Sequence, residues 1–242
     1  MQKILVVSKQ EKITYVGFSQ GSATGFACFS SFPQLKNKIN LFIALAPCVY
    51  LKGFSNPVAH SVAETRPHFS FLIFGKKIFM GNNMFWRKIL SASSWVKLME
   101  VANNLLFGWT MKKFDSSERE MLYSHLYSTT SVKSVIHWFQ ILHHSKFLMY
   151  DSSLSKKSIE YGDFEMPVYD IQHFTVPTAL LCGKSDTLPD NEKLLSVLPS
   201  KCIIHHEEFE GYEHLDLMWA KDTSTVVIPV IKNLLNKIEK NN

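Results

Sequence analysis

The fold is decided near the start of the chain by Gly17-Phe18-Ser19-Gln20-Gly21. These five residues match the pattern G-x-S-x-G, which places a serine on a tight turn between a strand and a helix with its hydroxyl exposed. The flanking sequence agrees with that geometry. Residues 13–16 favour a strand, and the small apolar residues at 22–29 suit a helix that packs closely on a sheet. The stretch therefore predicts that Ser19 is a nucleophile on a strand–turn–helix unit.

The composition is that of a globular chain with a modest positive charge. Of the 242 residues, 46% are hydrophobic and 19% are charged, which allows a sizeable core and excludes wholesale disorder. The formal net charge is +5, and no run of Lys and Arg of the nucleic-acid-binding type accompanies it. We therefore expect no nucleic-acid partner, and at most a weak attraction to an anionic lipid surface.

The four cysteines do not form a metal-binding pattern. Cys28, Cys48, Cys182 and Cys202 are spread singly along the chain, and no pair has the spacing of zinc ligands. Free thiols, mostly buried, and the absence of a metal are therefore expected, as in a cytosolic or cytosol-facing protein. The most hydrophobic stretch, residues 69–86, is interrupted by lysines and asparagines, which argues against a conventional membrane span.

Strand and helix signals alternate at both ends of the chain. Residues 41–46 are a continuous apolar run, typical of a strand buried on both faces. Together with the strand and helix around Ser19, the latter ending near Pro33, this run predicts a parallel pair with a right-handed crossover. The remaining core elements are expected to be a helix end at 1–9, a buried strand at 176–182, a helix at 191–197, a polar strand at 202–209 and a closing amphipathic helix at 221–238.

The middle of the chain has a different pattern. From about residue 49 to residue 174, aromatic residues and methionine become dense and helical periodicity dominates. Helices are expected at 118–127 and at 131–142, with Ser131 as the N-cap of the second. The sequence therefore predicts three segments: an α/β core with the nucleophile at 1–48, a helical insertion at 49–174 and the rest of the α/β core at 175–242.

A serine nucleophile needs a base to take its proton and an acid to hold that base. Asp186 follows directly on the predicted strand at 176–182, where the carboxyl edge of a sheet presents its loops. Asp190, expected at the start of a helix, and Asp170, before the strand, remain alternatives. A solvated loop aspartate is the competing explanation for all three, and the strand-end placement of Asp186 argues against it there.

Among the ten histidines, His214 is the best placed to be the base, because it lies in the loop before the closing helix. With Ser19 and Asp186 it gives the chain order serine, acid, histidine. Other candidates are two adjacent pairs, one in a predicted strand and one on the expected surface of a helix: His205, His206, His143 and His144.

Four segments, at 15–22, 41–47, 130–140 and 211–220, resemble the acid lipase family of α/β-hydrolases. They follow in order over nearly the whole chain. Animal members usually have histidine where this chain has Phe18. This difference, with Phe107-Gly108-Trp109 in the insertion, makes the chain more similar to the fungal steryl ester hydrolases than to the gastric or lysosomal lipases.

The resemblance implies a partial α/β-hydrolase fold, namely the C-terminal half of the parallel sheet, with a large helical cap over an acyl and sterol pocket. It implies Ser19 as the nucleophile, His214 as the base and Asp186 as the acid, with the backbone N–H of Gln20 as one oxyanion donor. No metal or other cofactor is implied. The expected substrate is a steryl ester or an acylglycerol, met at a lipid droplet or membrane surface facing the cytosol.

The early position of Ser19 sets the chain apart from the family it resembles. Family members have an upstream His-Gly segment whose backbone supplies the second oxyanion donor, and nothing in this sequence matches it. Two hypotheses follow. The first is a lipid ester hydrolase, and a steryl ester hydrolase in particular. The second is an N-terminally truncated, catalytically inactive segment that binds lipid, or a partner chain through an exposed sheet edge.

Overall fold

The computed structural model describes residues 1–64, 78–79, 88–126, 129–150 and 167–240. It divides into two compact units, one formed by Met1–Val49 with Tyr169–Asn242 and the other by Tyr50–Val168. The segment limits predicted from the sequence, including the assignment of 49–174 as a cap, stay predictions.

Helices and strands are numbered in chain order over the described residues. They are α1 (Gln2–Ser8), β1 (Ile13–Phe18), α2 (Gln20–Ser31), α3 (Pro33–Lys36), β2 (Ile39–Leu45), α4 (Pro57–Glu64), β3 (Ile78–Phe79), α5 (Ala92–Phe107), α6 (Arg119–His125), β4 (Thr130–Ser131), α7 (Val132–His144), β5 (Thr178–Gly183), α8 (Asn191–Val197), β6 (Ile203–Phe209), α9 (Asp216–Trp219) and α10 (Thr223–Lys240), with a 3-10 helix at Ser200–Cys202.

The first unit is built on a four-stranded sheet in the order β1-β2-β5-β6. All three neighbouring pairs are parallel, with Phe18 opposite Leu45 and Leu45 opposite Leu181. The central strands β2 and β5 are almost wholly buried, as their continuous apolar sequences require. The α/β class predicted from the sequence is confirmed. Because the strands run in the same direction, their carboxyl ends lie at one edge of the sheet.

An aromatic cluster fixes α2, the helix that follows the serine turn, against the sheet. The ring of Phe26 lies 4.9 Å from that of Phe42 on β2 and 5.1 Å from that of Phe174, measured between centroids. Tyr15 on β1 packs edge-on against Phe29 at 5.5 Å. These contacts join α2 to two strands at once and so hold the helix against the sheet.

The closing helix α10 covers the sheet through Val227 and Leu234, which lie in one core cluster with residues of β2 and β5. The sequence placed this helix at 221–238, and the structure places it at Thr223–Lys240. Strand β5 begins two residues later than predicted because Pro177 has no N–H for the ladder. The carbonyl of Pro177 still accepts a bond of 2.8 Å from the N–H of Phe42.

The described part of the second unit is mainly helical. Ser131 caps α7 as predicted, its side chain accepting a bond from the N–H of Ser134, and Ser91 caps α5 in the same way through Ser94. Helix α6 ends at His125, and Tyr127, where the sequence placed the end of this helix, lies outside the described residues. The antiparallel pairing of β3 with β4 is a feature that the sequence did not predict. In the described part of the chain, no helix is long and apolar enough to cross a membrane.

The aromatic cluster gives a test of how α2 is held. Replacing the fully buried Phe26 by leucine is expected to lower the free energy of unfolding by about 1–3 kcal/mol, because ring contacts with both neighbours are lost and a cavity remains. The same change at Phe32, which is 49% exposed, is expected to cost less than about 0.5 kcal/mol. Urea unfolding of both variants measures the difference. Equal losses would show that the cluster does not stabilise α2.

Candidate active site

Ser19 lies on the sharp turn between β1 and α2, in a backbone conformation that few residues adopt. Its φ is 51° and its ψ is −116°. Such a conformation costs on the order of 1–3 kcal/mol in a residue with a Cβ and persists only where neighbours enforce it. Here the Ser19 N–H donates to the carbonyl of Leu45 at 2.9 Å, and its carbonyl accepts from the N–H groups of Ser22 and Ala23. The turn is therefore tied to β2 on one side and to α2 on the other.

The two glycines of the motif have different roles. A Cβ on Gly17 would lie 2.7 Å from the carbonyl oxygen of Gly21 and 2.8 Å from the N of Ser22, both backbone atoms that cannot move aside. A Cβ on Gly21 would meet no heavy atom within 4 Å. Only the first glycine is required by the close approach of strand and helix.

Gln20 is the first residue of α2, and its N–H belongs to the first turn of that helix. Donors of the first turn have no acceptor within their own helix and are oriented toward an incoming negative charge. This position suits an oxyanion donor, and the role of Gln20 stays a prediction.

Asp186 follows the carboxyl end of β5 in a tight turn, with its N–H donating to the carbonyl of Gly183. One carboxylate oxygen, Oδ1, accepts a bond of 3.1 Å from the N–H of Leu188. Gly183 leaves room for the neighbouring loop, because a Cβ there would lie 2.4 Å from the carbonyl oxygen of Tyr212. That same carbonyl accepts the N–H of Ser185 at 3.0 Å. The loops after β5 and β6 are therefore in direct backbone contact.

His214 lies in the loop after β6 and is held there by Asp216. The Asp216 side chain is buried, and its Oδ2 accepts a bond of 2.7 Å from the N–H of Glu213. The hydroxyl of Thr223, at the start of α10, donates to the Asp216 carbonyl at 2.9 Å. Sequence reasoning did not assign Asp216 a role, although it lies two residues after His214 in a segment that was singled out.

Ser19, His214 and Asp186 form one chain of short hydrogen bonds. The distance is 2.6 Å from His214 Nδ1 to Asp186 Oδ2 and 2.7 Å from His214 Nε2 to Ser19 Oγ. A carboxylate only accepts, so Nδ1 carries the ring proton and Nε2 is left to accept the serine proton. The histidine and aspartate side chains are 4% and 0% exposed, so the bond between them is screened from water, whereas Ser19 is half-buried.

Cys48 is a further neighbour of Ser19 that the sequence did not reveal. It follows β2, and its Sγ lies 3.6 Å from Ser19 Oγ. Burial, with a smaller contribution from the charge of Asp186, raises the pKa of this thiol far above its ordinary value. Burial also raises the pKa of Cys182, on β5, to about 12. Both groups therefore remain neutral thiols at physiological pH.

The alternative acids and bases have other partners. Asp190 caps α8, its Oδ1 accepting from the N–H of Lys193, and Asp170 binds His173 Nδ1 at 2.8 Å. The histidine pair of β6 faces glutamates of the same strand, and the pair of α7 is exposed at the end of that helix: His205, His206, His143 and His144. Among the described residues, the partners found for these aspartates and for the β6 histidines are thus groups other than Ser19. Within that same part of the chain, no group of three or more His, Cys, Asp and Glu side chains could hold a metal ion.

Comparison with known proteins gives both a family and relatives. The family model of the alpha/beta hydrolase fold matches residues 1–221. A probable lipase of Schizosaccharomyces pombe is 36% identical over 235 residues, covering 97% of this chain. Human gastric triacylglycerol lipase is 32% identical over 237 residues (96% of this chain), and human lysosomal acid lipase/cholesteryl ester hydrolase is 30% identical over 242 residues (98%). The resemblance to acid lipases is confirmed.

The relatives are considerably longer than this chain, which spans 50% of the fission yeast protein, 59% of the gastric lipase and 60% of the lysosomal lipase. Among solved structures, a soluble variant of monoglyceride lipase from Saccharomyces cerevisiae matches with a TM-score of 0.58 and 15% identity. The match covers 98% of this chain and 66% of that one. At that identity the match supports the fold alone, which agrees with the predicted α/β-hydrolase class.

The two glycines of the serine turn form a matched pair for mutation. Gly17→Ala is expected to lower the free energy of unfolding by about 1–3 kcal/mol, because its Cβ would overlap backbone atoms of α2. Gly21→Ala should be neutral or stabilising by up to about 1 kcal/mol, since its Cβ enters open space in a helix. Chemical denaturation of the two variants measures both values. A Gly21→Ala loss as large as that of Gly17→Ala would contradict this geometry.

Proposed function

The chain belongs to the α/β-hydrolase fold family, and we propose that it is a lipid ester hydrolase acting through an acyl-enzyme formed on Ser19. The observation that carries the proposal is the continuous hydrogen-bonded chain from the Ser19 hydroxyl through the His214 ring to the Asp186 carboxylate. A serine hydroxyl arranged in this way can transfer its proton to the histidine as it attacks. An unactivated hydroxyl has no such base and is a poor nucleophile.

The proposed reaction proceeds in two halves. Ser19 Oγ attacks the ester carbonyl carbon while its proton passes to His214 Nε2. The resulting imidazolium then gives that proton to the leaving alcohol oxygen, and the acyl group stays on Ser19. Water, deprotonated by the same histidine, releases the fatty acid and restores the serine. Throughout, Asp186 remains a carboxylate that accepts from Nδ1 and stabilises the transient positive charge of the ring.

Negative charge develops on the carbonyl oxygen in both halves. We assign the backbone N–H of Gln20 to this oxygen, because it is at the start of α2, a helix of 12 residues. The aligned peptide dipoles of α2 favour negative charge at that end. The relatives are longer than this chain, and the segment implied by the acid lipase resemblance for a second donor has no match in the sequence.

The names of the relatives indicate lipid esters as the substrate class. The relatives are named as a probable lipase, a gastric triacylglycerol lipase and a lysosomal acid lipase/cholesteryl ester hydrolase. We propose steryl esters as the preferred substrates, on the likeness of Phe18 and of residues 107–109 to the fungal steryl ester hydrolases. Acylglycerols are the alternative. The aromatic-rich sequence of the middle segment agrees with an apolar substrate in either case.

The site of action belongs to the same proposal. Substrates of this class do not dissolve in water, so the enzyme would have to meet them at a lipid droplet or at a membrane surface. The formal net charge of +5 agrees with weak attraction to anionic lipid. No metal, nucleotide or nucleic acid enters the proposed reaction.

A second candidate function is binding without catalysis, favoured by the edge of the sheet at β1. Among the described strands β1 pairs only with β2, and its residue Val16 is 48% exposed. Three residues of the adjacent α1, Ile4, Val6 and Val7, are exposed as well. An unpaired strand edge suits the addition of a strand from a partner chain, and exposed apolar side chains suit contact with a partner.

The catalytic proposal is tested first by covalent labelling with a fluorophosphonate, which reports an activated serine. We expect labelling of the wild-type protein and none of Ser19→Ala. Asp186→Asn should reduce the rate of labelling by about 10⁴-fold, as in serine hydrolases whose acid is made neutral. Asp190→Asn is the matched control and should label at the wild-type rate, because asparagine caps a helix as well as aspartate does.

The outcomes separate the two candidate functions. Equal labelling of the wild-type protein and Ser19→Ala would show that Ser19 is not the nucleophile. A wild-type protein that is folded by circular dichroism yet labels nowhere would favour binding without catalysis. An Asp190→Asn rate as low as that of Asp186→Asn would show that the acid has been assigned wrongly.

Substrate preference is tested by comparing emulsions of cholesteryl oleate and of triolein at equal interfacial area. We expect the larger kcat/KM for cholesteryl oleate, with release of oleate lost in Ser19→Ala. Faster hydrolysis of triolein would replace the steryl ester assignment by an acylglycerol one. Oleate release by Ser19→Ala measures the contribution of any contaminating lipase.

A further inference from the structure

The hydrogen bonds of His214 leave one motion of its ring weakly restrained. Both nitrogens are held, Nδ1 by Asp186 and Nε2 by Ser19, at 2.6 and 2.7 Å. Rocking of the ring about the line that joins the two nitrogens changes neither distance. It only tilts the bonds, and hydrogen bonds tolerate a broad range of tilt. Proton transfer from serine to imidazole needs the Nε2 lone pair directed at Oγ, so this motion has to be limited by another contact.

Phe18 lies against the ring of His214. The two ring centroids are 5.2 Å apart and the ring planes are inclined by 42°. This distance is within the range of favourable aromatic pairs, which are worth more than the area that they bury. A ring in contact with the imidazole opposes its rocking toward that side, which is the motion that the hydrogen bonds permit.

Phe18 is itself firmly held. It is the last residue of β1, its backbone is in register with Leu45 of the buried strand β2, and its side chain packs against the core cluster of β2, β5 and α10. A side chain anchored in this way can position a neighbour, whereas an exposed ring free to change rotamer cannot.

Phe18 and Ser19 are consecutive in the chain, and this links the positions of two partners of the imidazole. The Ser19 turn has one enforced backbone conformation, with φ at 51°. The angle between the side chains of residues 18 and 19 is therefore fixed by the same turn. One short segment presents the hydroxyl to Nε2 and the phenyl ring to the imidazole ring.

We propose that Phe18 is a positioning residue for His214, holding the imidazole in the orientation in which Nε2 accepts the proton of Ser19. This inference rests on the proposed function and adds to it a role for the variable residue before the nucleophile. The part that matters is an aromatic ring, so tyrosine should replace phenylalanine and leucine should not.

The first test uses the resting protein and needs no activity. The Nδ1 proton, held between His214 and Asp186, should give a proton NMR signal downfield of the amide region, assigned by its loss in His214→Gln. In Phe18→Leu we expect this signal to broaden or vanish through faster exchange with water. In Phe18→Tyr it should remain. Phe29→Leu, a change in the buried aromatic cluster, where the ring packs against Tyr15 and Phe42, is the control for a general loss of stability.

The second test measures the rate of reaction. In Phe18→Leu the rate of fluorophosphonate labelling and kcat for a short-chain ester should fall about 2- to 13-fold, the range of an aromatic pair contact, while KM stays unchanged. Phe18→Tyr should restore the wild-type rate. The exposed Phe32→Leu should label as the wild type does.

Three results would overturn the inference. The first is a Phe18→Leu protein that keeps both the downfield signal and the labelling rate. The second is Phe18→Tyr behaving like Phe18→Leu, since an aromatic ring would then not be the important feature. The third is a change confined to KM, which would make Phe18 a substrate contact instead. If the NMR results are as expected and the wild-type protein does not label, the positioning role stands and the proposed hydrolase function fails.

Discussion

Parallel pairing of β1, β2, β5 and β6 is the constraint on which the candidate site depends. Parallel strands end at the same edge of a sheet, so the segments that follow them meet there. Each strand contributes one residue of the cluster just after its carboxyl end: Ser19, Cys48, Asp186 and His214. Residues as much as 195 positions apart in sequence are brought within hydrogen-bonding distance by the register of three strand pairs.

The cluster contains two features that oppose folding on their own. Ser19 has a backbone conformation that is energetically unfavourable for any residue with a Cβ. Asp186 is a carboxylate whose side chain is fully buried. Each is offset by specific contacts: bonds from Ser19 to β2 and α2, and bonds to Asp186 from His214 and Leu188. A buried carboxylate without its two donors would be far more costly than the pair.

The sequence could predict those features of the fold and of the candidate site that are local in the chain. The serine turn, the buried strands and the capping role of Ser131 were predicted because each has a local signal in residue spacing or residue type. Asp186 could not be separated from Asp190 by spacing alone. The distinction is tertiary, since Asp190 uses its carboxylate on its own helix whereas Asp186 meets the loop that follows β6.

Other features had no sequence signal at all. The contact of Cys48 with Ser19 depends on the register between β1 and β2, which the apolar run of β2 does not specify to the residue. The contact of Phe18 with His214 depends in addition on side-chain direction at a strained turn. The pairing of β3 with β4 involves two residues on each strand, too few for any periodicity to be read.

The two edges of the sheet are unequal, and the difference concerns the strand that leads into Ser19. Edge strand β6 has titratable side chains at four successive positions, 205–208, and such charges discourage the addition of another strand. Edge strand β1 has no charged side chain along its length, and among the described strands it is paired on one side only. Because β1 ends at Phe18, directly before Ser19, a strand that paired with its other side would lie next to the segment that presents both the hydroxyl and the ring to His214. Ser19 therefore follows directly on the strand edge that, among the described strands, is open to further pairing and free of charge.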